Sequence, residues 1–344
     1  MKKLTAILLC MLLLGSVMSM AFTSSAVGVS LNQGITALRN QWQKGDDNGV
    51  DYRFYSPVTG SDDTTKYPVV IIMHGKFSGE KEGSQINTNN FPYWSSIEYQ
   101  SRFTSTGGAF ILMPRSPGGN AMGWGSNMYD DKFFSMLDTF LARHGKNIDK
   151  NKISIGGWSV GGEGAVRLAA KQPERFCALF PMAPYNGISQ AQAEALSDTP
   201  VWIFLCEKDT MAPYGTVGAP SWNRIKDTTT VPDKCRRTLF AKYDYYDIQH
   251  HYVHNAVIVD LMNQPSDCGM RTHDANGKTI VTNEASTVIT WLDAQTLEDD
   301  APRACKCDCH SGNGFTKFIF KIKVFFWKIF SQSKRVCACG ANHW

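Results

Sequence analysis

The chain has 344 residues, 43% hydrophobic and 19% charged, which excludes a collagen-like, low-complexity or wholly disordered protein. The formal net charge of +4 is a sum of unlike parts: +2 over residues 1–26, −5 over residues 27–300 and +7 over residues 301–344. A body with no basic excess has little to offer phosphates, so nucleic acid is not an expected partner.

The first segment reads as a signal peptide over residues 1–26. Lys2 and Lys3 precede an uncharged apolar stretch, and Ser24-Ser25-Ala26 supplies a small-x-small cleavage site. Ser19-Met20-Ala21 is the alternative site, and an uncleaved anchor is the competing reading. The expected location is therefore secreted or associated with the cell surface, in an oxidising compartment. In the body, Cys177 and Cys206 lie in apolar runs and read as buried thiols. Cys235 and Cys268 are able to pair, but spacing alone does not set connectivity.

Residues 27–300 alternate strand-like and helix-like patterns. Strands are expected at 50–56, 67–73, 109–114, 152–156, 177–181, 201–206 and 237–243. Helices are expected at 127–144, 162–171, 254–262 and 285–295. The run Tyr67-Pro-Val-Val-Ile-Ile-Met73 is apolar throughout, as suits a strand covered on both faces. Strands separated by helices predict an α/β fold with a mostly parallel sheet.

Gly157-Trp158-Ser159-Val160-Gly161 is a G-x-S-x-G motif between an expected strand and an expected helix. That context is what a nucleophile elbow requires, with Ser159 at the tip. The plain alternative is a glycine-rich turn. An elbow serine needs an acid and a base further along the chain. Asp209 follows the strand at 201–206, with Glu207 as competitor and a helix cap as the bland role. His254 heads an apolar helix-like run and is the expected base, with His251 and His250 as alternatives. His273, in a polar stretch, reads as surface. The oxyanion donors are expected at the Val160 N–H and at the N–H of Lys76 or Phe77, after the strand that ends at His74-Gly75. His74 itself reads as structural, beneath that loop. Trp158, Trp124 and Tyr214 are candidate substrate-contacting aromatics, with core packing as the competing reading.

His74-Gly75, the elbow, Asp209 and His254-Asn-Ala fall in the order of the α/β-hydrolases. The stretch 147–162 resembles the elbow of secreted esterases of the feruloyl esterase and polyhydroxybutyrate depolymerase type, and the resemblance covers about residues 50–262. It implies a Ser-His-Asp triad, an acyl-enzyme and no metal or other cofactor in catalysis. The histidine-rich stretch Gln249-His-His-Tyr-Val-His254 departs from the family's Gly-His turn. Ester substrates, including carbohydrate-linked ones, follow from the resemblance. A serine peptidase of prolyl-oligopeptidase type and a non-catalytic binding protein on the same fold are the rival readings.

Residues 301–344 form a basic, aromatic tail flanked by Cys305, Cys307, Cys309 and His310 on one side and Cys337, Cys339 and His343 on the other. Four lysines within residues 315–330 argue against a membrane span and suit contact with a membrane interface or cell-envelope surface. The Cys/His ligands admit zinc, disulfides or thiols, and the Cys-x-Cys spacing departs from the usual zinc knuckle.

Overall fold

The computed structural model describes residues 28–76, 81–86, 91–117, 123–240, 270–280 and 287–297. Among these residues, nine strands form one sheet in the order β1-β2-β4-β3-β5-β6-β7-β8-β9. β1 (Gln43–Asp47) and β2 (Val50–Tyr55) form a hairpin across Asn48 and Gly49. Both turn residues have positive φ, 56° and 76°, as a two-residue turn that follows the strand twist demands.

β3 (Tyr67–Met73), β4 (Phe110–Pro114), β5 (Ile148–Trp158), β6 (Ala178–Met182), β7 (Trp202–Cys206) and β8 (Arg236–Phe240) are parallel to one another. β2 and β9 (Met270–Asp274) flank that block in the antiparallel sense. All six parallel strands therefore end on one edge of the sheet, where ligand sites of open α/β sheets lie.

Seven α-helices lie among the described residues. They are α1 (Ile35–Arg39), α2 (Ile97–Gln100), α3 (Asp130–Arg143), α4 (Val160–Lys171), α5 (Gln190–Ala195), α6 (Ala219–Thr228) and α7 (Val288–Asp293). Two apolar cores result, one on each face. Val69, Ile71 and Met73 point into the core built by Phe133, Leu137 and Phe140 of α3 and Val166 and Leu168 of α4. Val70 and Ile72 point into the other, with Trp94, Phe103, Trp202 and the α7 residues Ile289 and Trp291. Alternation along a strand with no exposed face is why the β3 run has no polar residue. Each fully buried Phe or Leu in these cores stabilises the fold by about 1.5–3 kcal/mol.

Most expected elements appear with shifted ends. β5 is much longer than expected, because its first half, Ile148-Asp-Lys-Asn-Lys152, is polar, and its pairing with β3 has an irregularity between Tyr67 and Val69. β1, β9, α1, α2, α5 and α6 were not anticipated. His273 is not a loop residue on the surface: it sits half-buried in β9, opposite Arg237. Cys177, Cys206 and Cys235 are buried, and the Cys235 sulfur contacts Thr229 Oγ1 at 3.3 Å. The signal segment, Cys268, the helix expected at 254–262 and the whole tail lie outside the described residues. Among the described residues no helix is long and apolar enough to cross a membrane, and no His/Cys/Asp/Glu cluster could hold a metal ion.

Candidate active site

β5 runs directly into Ser159, and α4 begins at the next residue. Ser159 has φ 56° and ψ −125°, a backbone conformation that a residue with a Cβ adopts only under constraint. The constraint is visible. Its N–H donates to Met182 O at 3.0 Å, and its carbonyl accepts from the N–H groups of Glu163 at 3.0 Å and Tyr185 at 3.2 Å. The flanking glycines are required by close approach. A Cβ on Gly157 would lie 2.6 Å from Met73 O, and one on Gly161 would run into Met73 O and His74 O. The exit of β3 is thus laid directly on the elbow. Ser159 is half-exposed while Trp158 and Val160 beside it are buried, so the turn presents the hydroxyl residue alone. The first N–H groups of α4, Val160 included, have no partner within the helix and face the same end, where developing negative charge is favoured.

β7 ends at Cys206, one strand beyond β6. Glu207 is exposed, and its N–H donates to Phe240 O. Asp209 is 5% exposed. Its Oδ1 accepts from the N–H groups of Met211 (2.8 Å) and Ala212 (2.9 Å). Its Oδ2 is shielded from solvent and has no hydrogen-bond partner among the described residues. A buried carboxylate oxygen left this way costs about 1–3 kcal/mol or more until a donor reaches it. Asp209 and its competitor Glu207 thus differ in burial, the one enclosed and the other exposed.

The described histidines are not placed to fill it. His144 closes α3 among Phe54, Phe110 and Phe140, and His273 faces Arg237 near the start of β8, both towards the other end of the sheet. His74 has no exposed surface and both ring nitrogens engaged. Nδ1 lies 2.8 Å from Gly75 O, and Ser116 N–H donates to Nε2 at 3.0 Å. Burial pulls its pKa down to about 4, with a smaller opposing effect from the Gly75 carbonyl. His74 is neutral near pH 7 and committed to structure, as expected. His254, His251 and His250 lie outside the described residues, as does Phe77.

Two of the three candidate aromatics take the packing alternative. Trp158 is only 4% exposed: it stacks on Phe91 at 4.3 Å, and a Cβ on Gly75 would meet its Nε1 at 2.5 Å. Trp124 is fully buried, donates from Nε1 to Pro114 O and lies edge-on to Phe133. Both are packing residues beside the site, because the close approach of β3, β4 and the elbow leaves cavities that only large flat rings fill. Tyr214 is half-buried, and its hydroxyl accepts from Arg237 Nη1 at 3.1 Å.

Sequence reasoning missed three features. Tyr185 follows β6 and bonds through its backbone to Ser159, half-exposed beside it; the turn cluster Pro184-Tyr-Asn-Gly187 was the available signal. Met211, 40% exposed, sits on the Asp209 loop. Arg167 of α4 donates to Asp130 Oδ1 and to the carbonyls of Trp124 and Ser126, pinning the 123–129 loop to the elbow helix. No local sequence pattern announces that last clamp.

Known proteins share parts of this arrangement. A family model described as PETase, PET hydrolase-like, matches residues 134–233, well under half of the chain but including Ser159 and Asp209. Lipase 1 of Moraxella sp. (strain TA144) is 32% identical over 95 residues, covering 25% of this chain and 28% of the lipase. A thermostable esterase of known crystal structure superposes with a TM-score of 0.51 at 21% identity, covering 63% of this chain and 60% of the esterase. The fold is that of the α/β-hydrolases. Within it Ser159, Asp209 and the His74-Gly75 turn lie at the carboxyl ends of β5, β7 and β3. The chain spans less than two thirds of the length of either relative.

Proposed function

We propose that the protein is a serine carboxylic ester hydrolase in which Ser159 is the nucleophile and Asp209 the acid. The base is His254, with His251 and His250 as alternatives. The observation that carries this reading is the pairing of a strained, presented Ser159 with a buried carboxylate whose Oδ2 lacks a donor among the described residues. A histidine whose Nδ1–H fills that oxygen would turn Nε2 towards the serine. The histidine takes the Ser159 proton as Oγ attacks the acyl carbonyl, then gives it to the leaving alcohol. Asp209 holds the ring and stabilises the imidazolium. Water repeats the attack on the acyl-enzyme. Val160 N–H and Lys76 N–H are the proposed donors to the oxyanion. The elbow resemblance favours carbohydrate-linked acyl groups, and the matched family model favours aromatic polyesters; both belong in one substrate panel. Tyr185 and Met211 replace Trp158 and Trp124 as the exposed contacts for the acyl or alcohol part. Export through residues 1–26, and attachment or zinc binding through the tail, complete the reading.

A fluorophosphonate probe tests it. The full chain should be labelled once, and Ser159→Ala should not be labelled. Equal labelling of the variant, or none of the intact protein, sinks the catalytic reading. Turnover of peptide amides without turnover of esters would assign a peptidase instead. Alanine at each of His250, His251 and His254 should leave one variant, His254→Ala, with the largest loss.

A further inference from the structure

We propose that His74 is a positioning residue that aims the Lys76 N–H at the reaction centre by holding the carbonyl of the same peptide unit. The inference rests on the ester-hydrolase reading above and names what sets one of its two oxyanion donors.

Gly75 C=O and Lys76 N–H belong to one planar, trans peptide, so they point in opposite directions. Fixing the carbonyl fixes the N–H. His74 Nδ1 lies 2.8 Å from Gly75 O and holds it. The grip matters because Gly75 carries no Cβ to restrict the rotation of that plane. Glycine is nevertheless obligatory there, since a Cβ would press on the Trp158 ring at 2.5 Å. The residue that permits the close approach is the one least able to hold its own orientation.

The imidazole can do this because it is itself fixed. Ser116 N–H, just beyond β4, donates to Nε2 at 3.0 Å, so Nε2 is the acceptor and Nδ1 carries the proton. The ring has no exposed surface and lies 6.4 Å from the Trp124 ring. The charged groups facing it, Arg115 and Asp51, are paired with each other. The tautomer is set at the exit of β4 and used at the exit of β3. A donor on the carbonyl also polarises the amide, which strengthens its N–H as a donor to an oxyanion.

The test compares two isosteric replacements in the full chain. His74→Asn keeps an N–H donor at the position of Nδ1. His74→Gln reaches the position of Nε2 and the Ser116 N–H but leaves Gly75 O without a donor. The expected result is that His74→Asn stays within about threefold of wild type, while His74→Gln loses about ten- to hundredfold in kcat with KM nearly unchanged. Equal kcat for the two variants, or a loss carried by KM, overturns the proposal. The wild-type protein offers a measurement that needs no variant to fold: ¹⁵N spectra of its histidines should show one buried ring in the neutral Nδ1–H form from pH 8 to pH 5. A buried ring in the Nε2–H form there overturns the proposal. Wild type that neither labels with fluorophosphonate nor turns over esters overturns the hydrolase reading and this inference with it. Active wild type with equal variants overturns this inference alone.

Discussion

Asp47 and Asp209 are buried alike, at 7% and 5% exposure, and could not be more differently supplied. Asp47 Oδ1 accepts from Arg143 Nη2 at 2.6 Å, and Oδ2 accepts from Arg143 Nη1 at 2.9 Å and the Tyr52 hydroxyl at 2.5 Å. Burial alone would raise its pKa, but the bonds from Arg143 and Tyr52 outweigh burial and hold it below the ordinary carboxylate value. Each oxygen has an internal partner, and the cluster ties α3 to the β1–β2 hairpin. Asp209 has backbone donors on one oxygen and, among the described residues, nothing on the other. The difference teaches how to sort buried carboxylates: burial is common to both, completeness of the donor set among the described residues is not, and the incomplete one is the candidate for a catalytic role.

Substitutions should separate the two sites. Ser159→Ala is the largest expected effect, a loss of about 10⁶ in kcat measured on a soluble aryl ester. Asp209→Asn should follow at about 10⁴ in kcat with melting temperature nearly unchanged, since the amide keeps the oxygen that accepts from the Met211 and Ala212 N–H groups. Asp47→Asn should do the reverse, costing about 1–3 kcal/mol in denaturant unfolding while kcat per folded molecule holds. If Asp209→Asn proved as active as wild type, or Asp47→Asn lost activity without losing stability, the contrast would collapse. Gly75→Ala should lower kcat more than KM, because the added methyl displaces Trp158 or the oxyanion loop; an unaltered kcat would show that the seam yields.

Acid should act through a third buried group. The His74 pKa falls from 6.5 unfolded to about 4 folded, so the unfolded chain binds the extra proton first. Its contribution is complete above pH 6.5 and is lost as pH falls towards 4, to a maximum of about 3 kcal/mol. Urea midpoints of wild type should drop over that window, and those of His74→Asn should drop less.

What was legible in the sequence follows the same physics. The β3 run was readable to the residue, because a strand covered on both faces admits only apolar side chains. The places of Ser159 and Asp209, just past β5 and β7, were readable because strand ends and turn residues mark them. β1 was not, since Gln43-Lys-Gly-Asp-Asp47 alternates nothing and is held by its hairpin partner. Trp158 and Trp124 looked like substrate surfaces for the same reason that they are buried. Large rings cluster where several strands converge, and only three-dimensional packing says which side of the loop they face. Tyr185 was hidden because its link to Ser159 is made by backbone atoms.

The seam between the β3 exit and the elbow also divides the site for anyone who would redesign it. Gly75, Gly157 and Gly161 touch neighbouring backbone or indole atoms where a single added carbon has no room. Libraries at those positions would return mostly dead clones whatever the target ester. Diversity belongs at Tyr185, bonded through its backbone to the serine, and at Met211 on the Asp209 loop, both outside the seam, where a new side chain meets no packed backbone.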